Sequence, residues 1–130
     1  MSENIVAEAA ERIFSDLADA QNINSAANDG WKTPLWSALT DAGLPLAWVP
    51  EDCDGSGASL ADGFALAASA GKFAVPVPLV ETMLAGWLLA QAGLPSPGGR
   101  MTVAPARPQD RIAINADGTL SGRVRGVPFA

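Results

Sequence analysis

The sequence predicts a mainly α fold, a four-helix bundle followed by a short, incomplete β segment, and three observations predict it. Four stretches before residue 94 repeat apolar side chains at helical spacing, each with a start or stop signal. A Pro/Gly/Ser run, LPSPGG at residues 94–99, then punctuates the chain. Beyond it the period shortens to two around Asp117-Gly118, a strong hairpin turn pair. The expected division is a helical domain over 1–95 and the start of a β domain over 96–130.

Ser2 can cap a first helix with Glu3 in its opening turn, followed by Ile5, Ala9, Ile13 and Leu17 at steps of four. Val6, Ala10 and Phe14 widen that stripe, while Glu8, Glu11, Arg12 and Asp19 take the wet side. Residues 21–30, QNINSAANDG, are polar and turn-rich and predict a loop. Thr33-Pro34 is a cap followed by a first-turn proline, opening a short helix through Ala42 that stops at Gly43, with Leu35, Trp36 and Leu39 inward. LPLAWVP at 44–50 is apolar but cut by two prolines, which predicts a buried extended connector. EDCDGSGAS reads as an exposed turn, after which Ser59 caps a third helix with Asp62 completing a capping box. Its predicted inner face is Leu60, Phe64, Ala67, Ala68 and Gly71.

The fourth helix follows VPVP. Pro78 suits its first turn, Gly93 its left-handed stop, and Glu81 the positive end of its dipole. Leu79, Val80, Met83, Leu84, Trp87 and Leu88, with Ala85, Leu89, Ala90 and Ala92, make it apolar on nearly every side, so other elements are expected to enclose it. At about 21 Å it is too short for a bilayer that needs about 20 apolar residues. After LPSPGG, Met101–Ala104 and Arg111–Asn115 are candidate strands, and Thr119–Val127 the returning partner. Two or three strands leave open edges, which suggests a piece of a longer chain.

Composition removes several chemistries. The chain has 130 residues, no histidine, no tyrosine and one cysteine. Nucleophile systems that need His, and His/Cys zinc sets, are therefore excluded within it, as is an internal disulfide. The acidic amino terminus lacks the order of a secretory signal, and a single thiol fits a reducing compartment, so a cytoplasmic protein is expected. The net charge of −6 argues against a nucleic-acid partner, and no apolar run argues for a membrane. Charge is unevenly spread: residues 1–98 hold twelve acids against Arg12, Lys32 and Lys72, whereas residues 99–130 hold five arginines against Asp110 and Asp117.

Few local motifs carry chemistry. Asp52, Asp54 and Ser56 with Gly57 match the start of a calcium loop, but Ser59 and Gly63 stand where an apolar residue and a bidentate Glu are needed. Gly55-Ser56-Gly57 before a helix resembles a phosphate cradle, yet it has no Walker lysine and three flanking acids. Cys53 lies between carboxylates, which oppose thiolate formation. Glu81 is open to two readings, a base in an apolar stretch or an acid facing the helix dipole.

A Trp-bearing helix ending LTDAGL, then AWVPEDCDGSG, a Ser-capped helix and AVPVPLVETMLAGWLLAQAGLP follow one another. In that order they resemble the amino-terminal helical domain of the acyl-CoA dehydrogenase family, and DGTLSGRVRGVPFA is similar to the opening of its middle β domain. The resemblance covers most of this chain and about the first third of a full-length family member. It implies FAD, desaturation of an acyl-CoA thioester, a role in fatty acid metabolism, and assembly as a homo- or hetero-oligomer. It places the catalytic base in a carboxy-terminal bundle outside these residues, so the chain is expected to be inactive alone, with no catalytic, flavin-binding or metal-binding residue of its own. GRMTVAPARPQDR stands where the family's Thr-Glu-Pro and Gly-Ser-Asp run usually meets flavin. The resemblance also implies that Val80, Met83, Leu84 and Trp87 form a wall for the acyl tail, fatty or steroid-like. The alternative is a non-catalytic helical module that pairs with a partner chain.

Overall fold

A computed structural model describes residues 4–129. Five α-helices precede one β-hairpin: α1 (Ile5–Leu17), α2 (Ala20–Ser25), α3 (Lys32–Asp41), α4 (Leu60–Lys72), α5 (Leu79–Gln91), β1 (Arg111–Ile114) and β2 (Leu120–Arg123). The fold is mainly helical, as expected, with four long helices and a fifth of 6 residues.

The proposed Ser2 cap and Glu3 lie outside the described residues; Asn4 caps α1, its side chain accepting from the Ala7 N–H at 3.1 Å. The buried line on α1 is Ala10, Phe14 and Ala18, with Val6, Ile13 and Leu17 flanking, while Ile5 is exposed. α1 packs against α3 through Leu35 and Leu39 and against α4 through Leu66 and Ala70. Each of these leucines and Phe14 is fully buried, contributing about 1.5–3 kcal/mol. Phe73, just past α4, stacks on Phe14 with centroids 5.6 Å apart. Glu11, on the wet side and partly exposed, accepts from the Ser69 hydroxyl at 3.1 Å and pairs with Lys72 at 3.3 Å.

Several expectations are corrected. Residues 21–30 are not a loop throughout, because Asp19 accepts from the N–H groups of Gln21 and Asn22 and so starts α2. α3 begins at Lys32 rather than behind a Thr33 cap; a tight turn at Asp29–Trp31, capped by Asn28 on the Gly30 N–H, runs straight into it. Residues 44–50 are not extended, and of them Leu44, Pro45, Ala47 and Val49 are buried while Pro50 is exposed. Gly43 turns left-handed at φ +71°, Leu44–Leu46 form a tight turn, and Ala47 and Val49 donate back to Leu44 and Leu46. A proline fits the first position of such a turn, so Pro45 did not require an extended chain.

The inner face of α4 is rotated from expectation. Gly63, Leu66, Ser69 and Ala70 are buried, whereas Leu60 and Phe64 are exposed. α5 is not enclosed on every side: Leu79, Thr82, Met83, Ala85 and Gly86 are buried, but Leu84 and Leu88 are exposed. It rests chiefly on the Leu44–Leu46 turn and touches α4. Gly93 ends it at φ +69°, as read from the sequence.

Met101–Ala104 form no strand. Met101 instead clasps α5: its N–H donates to Thr82 Oγ1 at 3.0 Å, and its carbonyl accepts from that hydroxyl at 3.1 Å. β1 pairs antiparallel with β2 in the register Arg111↔Arg123 to Ile114↔Leu120, with Gly118 at φ +82° in the turn. The returning strand ends at Arg123, short of the expected Val127. Both strands are exposed along their whole length. No helix among the described residues is long and apolar enough to cross a membrane.

Candidate functional site

The rotation of α4 creates the most distinctive surface of the molecule. Leu60 and Phe64 lie one turn apart on its outer side, and Val80, Leu84 and Trp87 repeat at i, i+4 and i+7 along α5. With Trp48 they line a wholly apolar groove of about 400 Å³. That volume falls within the range of small-molecule sites.

Trp48 holds the groove in shape. Its ring meets Phe64 edge-on, with centroids 5.1 Å apart and planes at 64°. Its Nε1–H points to the Leu60 carbonyl at 3.4 Å, so the polar end of the indole is turned into the α4 backbone and not into the groove. Gly63 makes room for it, since a β-carbon there would stand 1.8 Å from Nε1. Leu60 and Phe64 expose 60% and 62% of their surface, an unusual amount for two large apolar residues side by side.

Of the four residues expected to wall an acyl tail, Val80, Leu84 and Trp87 line the groove together. Met83 does not; it is fully buried among Leu79 and the α1 and α4 side chains of the core. Sequence reasoning missed Trp48, Leu60 and Phe64. The signal was Gly63 inside a helix, which costs about 1 kcal/mol against alanine and so marks a close approach.

The other candidates resolve differently. The Gly55-Ser56-Gly57 turn offers no anion cradle, because its three N–H groups donate to Pro50, Leu46 and Val49 and the Ser56 hydroxyl donates to Gly43. No group of three metal-ligating side chains forms among the described residues. Cys53 is half-buried, and desolvation, with help from Asp52 and Asp54, pushes its thiol above the usual value. That opposes thiolate formation. Glu81 lies half-buried in the first turn of α5.

Over 106 residues the chain is 26% identical to acyl-CoA dehydrogenase IpdE2 of Mycobacterium tuberculosis strain H37Rv. The chain is distantly similar to an acyl-CoA dehydrogenase. The match covers 81% of this chain and 33% of that relative, so the chain spans about a third of the relative's length. No family model matches the chain, and no solved structure does.

The groove does not fit a flavin, because its apolar lining offers no hydrogen-bond partner to the carbonyls and N–H of an isoalloxazine ring. A hydrocarbon chain has no such groups.

Proposed function

We propose that this chain supplies the acyl-tail wall of an acyl-CoA dehydrogenase-like oxidoreductase, one that desaturates acyl-CoA thioesters with FAD held elsewhere in the complete assembly. The observation that carries the proposal is the groove of Trp48, Leu60, Phe64, Val80, Leu84 and Trp87, free of polar lining, on a chain similar to an acyl-CoA dehydrogenase. Its contribution is burial of hydrocarbon and exclusion of water. Proton abstraction and hydride acceptance belong to other parts of a homo- or hetero-oligomer, and the chain alone is inactive.

Each methylene that enters such a groove contributes about 0.8 kcal/mol, close to a fourfold gain in affinity. A series of acyl-CoA thioesters of increasing chain length, titrated against the fluorescence of Trp48 and Trp87, tests this. Affinity is expected to climb with each added carbon until the groove is full. Free CoA binding as tightly as the long thioesters would refute it.

A second reading, a non-catalytic module that pairs with a partner chain, is favoured by the hairpin, whose two strands pair only with each other among the described residues. Unpaired strand edges are templates for further strands. Under that reading a partner protects the β1 and β2 amides from exchange while acyl chain length has no effect.

A further inference from the structure

A second pocket, of about 290 Å³, lies beside the start of α5 and shares no residue with the apolar groove. Lys32, the first residue of α3, and Arg100, from the segment after α5, both line it, and no carboxylate does. Val77, Pro78, Met101 and Phe129 give it an apolar body. The Thr102 hydroxyl donates to the Pro128 carbonyl and so holds Phe129 beside it.

Both cations are open to a ligand. Arg100 lies over the Trp36 ring, 5.5 Å from its centroid, and has no ion-pair partner among the described residues, where the pairs are Lys32–Asp29 and Lys72–Glu11. An aromatic neighbour steadies a guanidinium while leaving its N–H edge for a planar acceptor. The Lys32 side chain is 27% exposed, and its partner, the Asp29 carboxylate at 3.0 Å, is 80% exposed, a pairing that water weakens. Other polar groups of the lining are missing or engaged. Pro76 and Pro78 carry no N–H, and the Met101 N–H donates to Thr82 Oγ1. The pocket therefore offers positive charge and apolar surface, and little to an uncharged polar group.

We propose that this pocket binds an amphipathic monocarboxylate, its head on Arg100 and Lys32 and its hydrocarbon body on Val77, Pro78, Met101 and Phe129. The two oxygens of a carboxylate lie in one plane, which a single guanidinium fork matches. One fork and one ammonium suit one such head. A second acid at the far end of the ligand is disfavoured. Val77 and Phe129 also line the neighbouring hollow of about 270 Å³, whose one charged residue is Glu81. Its carboxylate repels another in a lining that is otherwise apolar. The site uses no residue of the acyl-tail groove, so it stands or falls apart from that reading.

Calorimetric titration of the full chain with octanoate is the test, against octanamide, which has the same chain without the charge, and suberate, which carries a carboxylate at both ends. Titrating in the Leu84→Gln background keeps the α4/α5 groove from competing. One saturable octanoate site is expected, weakened about tenfold or more in Arg100→Gln and less in Arg100→Lys, which keeps charge but loses the fork. Arg100 is exposed, so both variants should melt close to the parent temperature. Should loss of the Trp36 contact disturb α3, Phe129→Ala, on the apolar side of the pocket, carries the expectation of weaker octanoate binding instead. The proposal is overturned if octanamide or suberate binds as tightly as octanoate, or if a folded Arg100→Gln binds octanoate unchanged.

Discussion

Gly63 and the Trp48 indole contend for one space, since a β-carbon on Gly63 would stand 1.8 Å from Trp48 Nε1 and 2.3 Å from its ring. Two effects oppose each other in Gly63→Ala. Alanine favours a helix interior by about 1 kcal/mol, and overpacking an aromatic ring costs about 1–3 kcal/mol. Overpacking should win, because the indole is pinned between Phe64 and the α4 backbone rather than being a mobile chain end. The variant should melt several degrees lower, with altered tryptophan emission and a reshaped groove. A rise in melting temperature would show that Trp48 yields freely.

The same contact explains what the sequence could and could not disclose. Helix existence was legible wherever a cap and a period coincided, as at Ser59, whose hydroxyl accepts from the Asp62 N–H at 3.0 Å. Helix facing was not legible for α4. By hydropathy Leu60 and Phe64 belong inside, but α1 approaches the side bearing Ser69 and Lys72, where Glu11 offers a charged partner. A polar tertiary contact between residues 58 apart leaves no trace in local periodicity. Three of the four groove residues expected on α5 met because i, i+4, i+7 spacing fixes a helix face; Met83, at i+3 from Val80, fell on the core side. α2 was hidden for a different reason: its start depends on the Asp19 side chain, and polar residues such as Asn22 and Asn24 carry no apolar stripe.

Thr82 ties the helical part to the segment that follows it. Its hydroxyl lies 2.6 Å from the Pro78 carbonyl, 3.1 Å from the Met101 carbonyl and 3.0 Å from the Met101 nitrogen. Thr82→Val keeps the shape and removes these bonds, leaving the Met101 N–H without its partner. A loss of about 1–3 kcal/mol is expected in chemical denaturation, with faster hydrogen exchange at Met101. Thr82→Ser should retain most of the stability, and equal losses in both variants would point to packing of the methyl group instead.

Met83 and Leu84 are neighbours in sequence with opposite environments, fully buried and 37% exposed. Met83→Ala should cost about 2–5 kcal/mol by leaving a cavity in the core. Leu84→Gln should change stability by no more than about 0.5 kcal/mol. The two variants should reverse in ligand binding: Leu84→Gln weakens long acyl chains, while any folded Met83 variant retains them. Denaturation midpoints and acyl-CoA titrations on the same samples would separate the roles, and unchanged binding in Leu84→Gln would remove α5 from the groove's function.

Acid should loosen the hairpin through Asp117. Its carboxyl is held below the ordinary aspartate value, first by the Thr119 hydroxyl at 2.6 Å and then by the Thr119 N–H at 3.0 Å. Because the folded value is the lower one, the turn's stabilisation is fully present above the ordinary range near pH 4 and is lost as pH falls through the folded value. Amide shifts of Gly118 and Thr119 should therefore hold steady from pH 7 to about pH 4 and move below it. Asp117→Asn keeps an acceptor but removes the titrating group, so its shifts should stay flat across the same interval. An identical acid transition in Asp117→Asn would show that Asp117 does not carry the effect.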